Sequence, residues 1–75
     1  MPKLPLVSGA EAVKAFQRQG FFVDRQRGSH VVMKKMTLEG ERGCVIPMHK
    51  EIAIGTLRSA LKMAGVSPEE FSSVL

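Results

Sequence analysis

A first helix is predicted where apolar residues at helical spacing follow a capping signal. Ser8 is followed three residues later by Glu11, and such a pair forms a capping box, in which each side chain satisfies a backbone N–H group at a helix start. Val13 and Phe16 belong to the apolar face of this helix. Gly20 supplies the left-handed position at which helices commonly end. The helix is therefore predicted between the cap and this glycine.

Three short segments after this helix have the composition of strands. The stretch "FFVDRQ" is aromatic and β-branched, Arg27-Gly28 punctuates it, and "SHVVMKKM" follows. A second turn is centred on Glu39-Gly40 in "TLEGER", and "GCVIPM" is a third strand that Pro47 ends or displaces to a sheet edge. The three segments predict an antiparallel meander.

Two more helices are predicted in the last third of the chain. Apolar residues recur at helical spacing from Ile54, and Gly65 closes that helix. In "SPEEF", Ser67 is the cap of a short final helix, Pro68 is its first residue, and Glu70 completes a capping box three residues after the cap. The element order predicts an α+β fold, α-β-β-β-α(-α), with a three-stranded antiparallel sheet packed on one face by helices.

Length and composition limit the class of protein. A chain of 75 residues makes a single domain, over residues 1–75, with a small core. No apolar run approaches the ~20 residues of a membrane span, and the start "MPKLPLV" is too short and too broken by proline for a signal segment. The single Cys44 cannot form an internal disulfide. We therefore expect a cytoplasmic protein with no membrane contact.

The positive charge is concentrated in one part of the chain. Six cations and the single carboxylate of Asp24 lie between Lys14 and Lys35, whereas the last ten residues carry only Glu69 and Glu70. This asymmetry favours a polyanionic partner over a neutral small molecule. A solvated basic face without a partner is the alternative.

The second turn also predicts the register of the strands. A two-residue loop at Glu39-Gly40 pairs Met33 with Ile46, Val31 with Met48, and His30 with His49. The first two pairs place apolar side chains on the core face. Because successive strand residues alternate between faces, His30 then lies on the open face with Lys34, and Ser29 points away from it. This alternation argues against a Ser–His hydrolytic pair, which needs both groups within hydrogen-bond reach.

Two histidines near cations have a use in RNA cleavage that requires no metal. A neutral imidazole takes the proton of a 2′-OH, whose oxygen attacks the adjacent phosphorus, while a cation stabilises the phosphoryl oxygens and a second donor protonates the 5′-oxygen. In this scheme His30 is the base, Lys34 or Arg27 the electrostatic aid, and His49 or Lys50 the acid. A histidine that only packs or hydrogen-bonds on a half-exposed strand is the alternative. Ligand pairs with the close spacing of a metal site are absent from the sequence.

An ordered set of short motifs resembles a known family. The set comprises Gly20-Phe21, Arg25-Gln26, Gly28-Ser29-His30, Ile46-Pro47 with His49 close behind, and "GTLRSALKMAGVSPEEF" from Gly55 to Phe71. In order and spacing, over about residues 8–71, it resembles the HicA (YcfA-like) family of toxins. These are small ribonucleases of type II toxin–antitoxin pairs in bacteria and archaea.

The resemblance implies a fold similar to double-stranded-RNA-binding domains. It also implies cleavage of RNA, including mRNA, without a metal or other cofactor, with His30 as the catalytic residue, and a companion HicB antitoxin that covers the catalytic face. The candidate RNA-binding residues around this histidine are Arg25, Arg27, Ser29, Lys34, Lys35, His49 and Lys50. The strand "VVMKKM" departs from many relatives, which have an aromatic residue or another histidine there, and this difference bears on RNA preference.

Two other functions fit the same residues. A non-catalytic RNA-binding module would keep the basic face and cleave nothing, and its affinity would fall steeply with salt. A protein-interaction domain would use its charge only for an acidic partner. Replacement of His30 by alanine separates cleavage from binding.

Overall fold

The structure is a computed structural model and describes residues 4–75 of the chain. Met1–Lys3 lie outside the described residues. The segment "MPKLPLV", discussed above, and the domain expected over residues 1–75 both begin with these three residues. The elements are α1 (Gly9–Arg18), β1 (Phe22–Arg27), β2 (His30–Thr37), β3 (Gly40–Pro47), α2 (Ile54–Ala64) and α3 (Pro68–Ser73). This order confirms the predicted α+β architecture. In the described part of the chain, no helix is long and apolar enough to cross a membrane.

Capping boxes begin the first and third helices, as predicted. Ser8 Oγ accepts a hydrogen bond from the Glu11 N–H at 3.1 Å, and Glu11 Oε1 accepts one from the Ser8 N–H at 2.9 Å. Ser67 and Glu70 make the same two bonds at the start of α3. The bond from the serine backbone N–H is the main reason that the pKa of each glutamate is lowered. Gly65 ends α2 with a left-handed φ of 73°.

The three strands form an antiparallel sheet in chain order, with β2 in the centre. The meander is therefore confirmed, but the predicted register between β2 and β3 is wrong. Val31 lies opposite Ile46 rather than Met48, and Met33 lies opposite Cys44 rather than Ile46. The shift on β3 is two residues, which is the period of side-chain alternation, so the predicted faces survive the error.

The register error comes from the turn between β2 and β3. Thr37 pairs with Gly40, so the two-residue loop is Leu38-Glu39 rather than Glu39-Gly40. The Thr37 hydroxyl donates to the Gly40 carbonyl at 2.7 Å and accepts from the Glu39 N–H at 3.2 Å. These two bonds close the hairpin one residue earlier than the glycine position suggests.

The turn between β1 and β2 also differs from the prediction by one residue. Gly28-Ser29 forms this turn, whereas the sequence placed it at Arg27-Gly28. Arg27 stays in the ladder opposite His30, and Gly28 takes the positive φ of 54° that a tight turn requires. Ser29 is therefore a turn residue and not the start of a strand.

β1 contains a β-bulge that the sequence did not predict. Val23 pairs with Met33, whereas Arg25 pairs with Val32, so Asp24 is the extra residue. An extra residue reverses the alternation of the positions that follow it. Arg25 is thereby placed on the face opposite to that of Val23.

The helices cover one face of the sheet and enclose the core. The largest fully buried side chains are those of Phe16, Phe71, Met33, Ile46, Ile52, Leu57 and Leu61. The ring centroid of Phe16 lies 5.4 Å from that of Phe21 and 5.6 Å from that of Phe71, which joins α1 to α3 and to the residue before β1. The opposite face, called the open face below, is covered by no element of residues 4–75 and carries His30, Val32 and Lys34 from β2.

Candidate active site

His30 begins β2 on the open face and is exposed to solvent. Its ladder partners are Arg27 on β1 and Pro47 on β3, so a guanidinium side chain stands on one side and a proline ring on the other. The preceding turn is held by the Gln26 side-chain amide, which donates to the Gly28 carbonyl at 3.0 Å. The turn and both neighbouring strands therefore position this imidazole at the solvent-exposed start of the central strand.

His49 lies near His30 through a different pairing from the predicted one. His30 is opposite Pro47, two residues before His49, so the predicted direct pairing of the two histidines is wrong. Both histidines nevertheless line one groove of about 340 Å³, together with Val45, Pro47, Ala53 and Thr56. The structure thus brings the two imidazole side chains to a common open site.

Two backbone hydrogen bonds hold the segment that carries His49. The Met48 N–H donates to the Ser29 carbonyl at 2.6 Å, which extends the β2–β3 pairing beyond Pro47. The His49 carbonyl accepts from the Gly9 N–H at 2.9 Å, at the start of α1. Because the first N–H groups of a helix have no partner within the helix, this bond also satisfies one of them. The histidine backbone is therefore anchored while its side chain stays exposed.

The start of α2 forms another wall of the groove. Ala53 is the N-cap residue and lines the groove with Thr56. Within residues 4–75, no side chain caps this helix and no acidic residue occupies its first turn. The first N–H groups of α2 and the positive end of its dipole thus lie at the edge of the groove, where they favour negative charge.

The cations of the open face differ in their neighbours. Arg25 and Arg27 are exposed, and Arg25 lies 4.0 Å from the Asp24 carboxylate. Lys34 Nζ lies 3.7 Å from Asp24 Oδ2 and 3.4 Å from Glu41 Oε1. Its charge is shared with two carboxylates, whereas Arg27 forms no salt bridge with any described residue.

Lys35 is the predicted RNA-binding residue that the structure places elsewhere. Its Nζ donates to the Gln19 carbonyl at 2.8 Å and lies 5.7 Å from the centroid of the Phe21 ring. It therefore closes the C-terminal end of α1 on the helix-covered side of the sheet. Strand alternation already groups Lys35 with the buried Val31 and Met33, so the sequence carried the signal for this position.

The remaining predicted residues flank the two histidines. Ser29 precedes His30 in its turn, and its carbonyl accepts the Met48 N–H. Lys50 follows His49 and is exposed. In residues 4–75, no three His, Cys, Asp or Glu side chains stand close enough together to hold a metal ion.

Sequence reasoning missed three contributors to the site. Thr56 and Ala53 reach the groove because α2 begins beside it, and no local motif marks that contact. Gly9 is needed because a Cβ at this position would overlap the Pro47 carbonyl and lie 2.6 Å from Met48 Cα. A glycine directly after a serine cap does not by itself predict such a long-range contact.

These features define a class of protein: a small α+β domain in which helices cover one side of a three-stranded antiparallel sheet and the other side carries an exposed histidine beside arginine. The family model described as HicA toxin of bacterial toxin-antitoxin matches residues 9–66, which span α1 to the end of α2 and include both histidines. The chain therefore belongs to the HicA toxin family, and the family resemblance drawn from the sequence is confirmed. Membership in this family implies an antitoxin as partner. A comparison with curated proteins gave no match.

Proposed function

We propose that this toxin is an endoribonuclease that cleaves mRNA, with His30 as its general base. The observation that supports this proposal best is the position of the His30 side chain, which is exposed on the open face beside Arg27. An imidazole buried under the helices would have no access to a nucleotide. Here a ribose can reach the ring from solvent.

The proposed reaction is a transfer within the RNA backbone. His30, in its neutral form, takes the proton of a 2′-OH, and the 2′-oxygen forms a bond to the adjacent phosphorus. The bond from phosphorus to the 5′-oxygen breaks, which leaves a 2′,3′-cyclic phosphate and a 5′-OH. The leaving 5′-oxygen takes up one proton for the one that His30 removes from the 2′-OH, and no cofactor takes part in the proposed steps.

We assign the electrostatic role to Arg27 rather than to Lys34. Arg27 is the ladder partner of His30, and Cβ atoms of such partners lie about 5 Å apart. Lys34 is four residues from His30 along β2 and is paired with Asp24 and Glu41. A guanidinium without a carboxylate partner is the better ligand for the phosphoryl oxygens.

The other candidate residues extend this surface along the RNA backbone. Arg25 continues the row of cations on the open face, and Ser29 and Lys50 flank the two histidines. The uncapped start of α2 adds backbone N–H groups at the edge of the groove. Lys35 has no place in this surface, because its ammonium lies on the other side of the sheet.

We further propose that a HicB-like antitoxin binds over the open face and blocks His30. This face exposes large apolar side chains beside its cations, with Phe22 at 50% and Val45 at 43% exposure. Large apolar side chains exposed beside cations on a small domain favour a protein partner on this face. A partner seated there would exclude RNA from the histidine.

Replacement of His30 by alanine tests the assignment of the base. We expect the cleavage rate of an mRNA fragment to fall by roughly 10²- to 10⁴-fold while RNA affinity stays nearly unchanged, because only the proton acceptor is lost. Single-turnover cleavage, fluorescence anisotropy and growth after induction measure the effect. Lys62→Ala, at an exposed position on α2, is the matched control.

Two outcomes would count against this assignment. Unchanged cleavage by the alanine variant would remove His30 as the base. RNA binding without cleavage by the wild type would instead favour the non-catalytic RNA-binding module.

A further inference from the structure

His49 has a free side chain on an anchored backbone. Its carbonyl is held by the Gly9 N–H, and the neighbouring Met48 N–H is held by the Ser29 carbonyl. In the described part of the chain, the His49 imidazole makes no hydrogen bond or salt bridge of its own and is exposed. The fold thus fixes where this imidazole stands but gives it no structural partner.

The placement of the two imidazoles in one groove suits the two ends of one phosphodiester. His49 lies two residues beyond Pro47, which is the ladder partner of His30 and the last residue of β3, and both imidazoles line the same groove. Each imidazole can make a hydrogen bond of about 2.6–3.2 Å to an oxygen between them. One ring then reaches the attacking oxygen and the other the leaving oxygen.

We propose that His49 is the general acid of the reaction, which rests on the function proposed above. As His30 accepts the 2′-OH proton and the 2′-oxygen bonds to phosphorus, the bond from phosphorus to the 5′-oxygen breaks. The protonated His49 imidazole gives its proton to that 5′-oxygen, which leaves as an alcohol. One proton is accepted and one is donated, so the pair returns to its starting state after a proton passes from His30 to His49 through solvent.

Lys50, the other candidate acid, is the weaker choice. His49 lines the groove with His30, whereas Lys50 does not. Histidine is also the side chain that most often acts as a general acid or base in enzymes. Position and side-chain chemistry therefore select the same residue.

A substrate with a sulfur leaving group tests this role directly. An RNA oligonucleotide with one cleavable linkage is prepared in two forms, with the natural 5′-oxygen or with sulfur in its place. A thiol has an ordinary pKa near 8.5, far below that of an alcohol, so sulfur leaves without receiving a proton. Removal of the acid should therefore matter only for the oxygen form.

We expect His49→Ala to lose about 10²- to 10⁴-fold in single-turnover rate on the oxygen substrate and less than about 10-fold on the sulfur substrate. His30→Ala should lose similar factors on both forms, because both need the 2′-OH to be deprotonated. His49→Gln, which keeps a polar side chain without an acid of suitable pKa, should behave like His49→Ala.

Each alternative result has one meaning. An equal loss on the two substrates would show that His49 acts on structure or binding and would overturn its role as an acid. No loss on the oxygen substrate would overturn it as well. Cleavage of neither substrate by the wild type would overturn the proposed function itself, and with it this inference.

Discussion

Cys44 faces the helices from β3 and is only 2% exposed. Burial raises the pKa of its thiol to about 11, because a thiolate in this apolar position would lose its hydration. The imidazoles of His30 and His49, by contrast, are exposed on the open face. At the scale of single residues, solvent access therefore leaves the histidines, and not the cysteine, available for chemistry.

The buried thiol predicts a loss of stability at alkaline pH. The thiol ionises near pH 9 in the unfolded chain but near pH 11 in the fold, so the folded state holds more protons between these values and its stability falls as the pH rises through them. Urea denaturation at pH 8 and pH 10.5 measures the fall. The sequence contains no tyrosine, which leaves lysine as the other main group that titrates there.

Cys44→Ala is the comparison for this prediction. It should be less stable at pH 8, because the smaller side chain leaves a cavity, but its stability should decline less toward pH 10.5. Parallel declines in the two proteins would contradict a raised pKa at Cys44.

At the scale of elements, the close contact between α1 and the end of β3 determines where His49 lies. Gly9 is the first residue of α1, and its N–H binds the His49 carbonyl. The absence of a side chain at this glycine lets the helix approach Pro47 and Met48 directly. The position of His49 beside His30 thus depends on the packing of an element from the other end of the sequence.

A pair of glycine substitutions tests this contact. Gly9→Ala should lower the free energy of unfolding by about 1–3 kcal/mol, because the added methyl group must displace backbone atoms of the Pro47–Met48 segment. Gly55→Ala, in the first turn of α2, is the matched control, since a Cβ there meets nothing within 4 Å. Alanine at this control position should leave stability unchanged or raise it slightly.

Denaturant unfolding and RNA cleavage should be measured for both alanine variants. Under the role proposed for His49, Gly9→Ala also reduces cleavage in the folded fraction, because it moves His49. Equal stability of the two variants would mean that the segment yields easily and that the contact does not position the site.

The β-bulge at Asp24 is a second feature of an element that shapes the site. It places Arg25 and Arg27 on the face of His30, as their ladder partners Val32 and His30 show. Without the extra residue, both arginines would point toward the side of the sheet that the helices cover. One residue in an edge strand therefore determines which face is basic.

At the scale of the whole molecule, the net charge of +4 differs from the charge that the open face would present to RNA. Lys35 closes the end of α1, and Arg42 lies against the end of α2, where a Cβ at Gly65 would stand 3.5 Å from its Cζ atom. Lys34 is paired with two carboxylates. Arg27, which forms no salt bridge with any described residue, and the exposed Arg25 are thus the main cations of the open face.

Two double substitutions with equal loss of charge test this distribution. In a His30→Ala background, in which the proposed function predicts little cleavage, Arg25→Gln with Arg27→Gln should weaken binding to single-stranded RNA. Its plot of log K against log salt should flatten by about 0.7 for each cation removed. Arg58→Gln with Lys62→Gln, both exposed on α2, should leave affinity and slope nearly unchanged. Fluorescence anisotropy measures the affinity and the salt slope of both variants from 50 to 200 mM salt. Over this range, the affinity of a protein that makes six or more phosphate contacts falls by roughly 10³-fold or more. Equal effects of the two double substitutions would mean that RNA senses only net charge.

The sequence by itself determined the elements, their order, both capping boxes, the core face of β2 and the open position of His30. Each of these depends on residues a few positions apart, through helical and strand periodicity or a local hydrogen bond. Lys35 could have been placed in the same way, from its alternation with Val31 and Met33.

Only the tertiary structure decided how these elements meet. The Leu38-Glu39 loop, the bulge at Asp24 and the arrival of His49 beside His30 depend on contacts whose partners the local pattern does not specify. A two-residue change of register preserves every face, so the hydrophobic pattern cannot distinguish one pairing from the other. The hydrogen bonds of the Thr37 hydroxyl fix the hairpin loop and with it the register, and the bond from the Gly9 N–H fixes the backbone of His49. Both follow from the need of backbone and side-chain polar groups for hydrogen-bond partners in the folded chain.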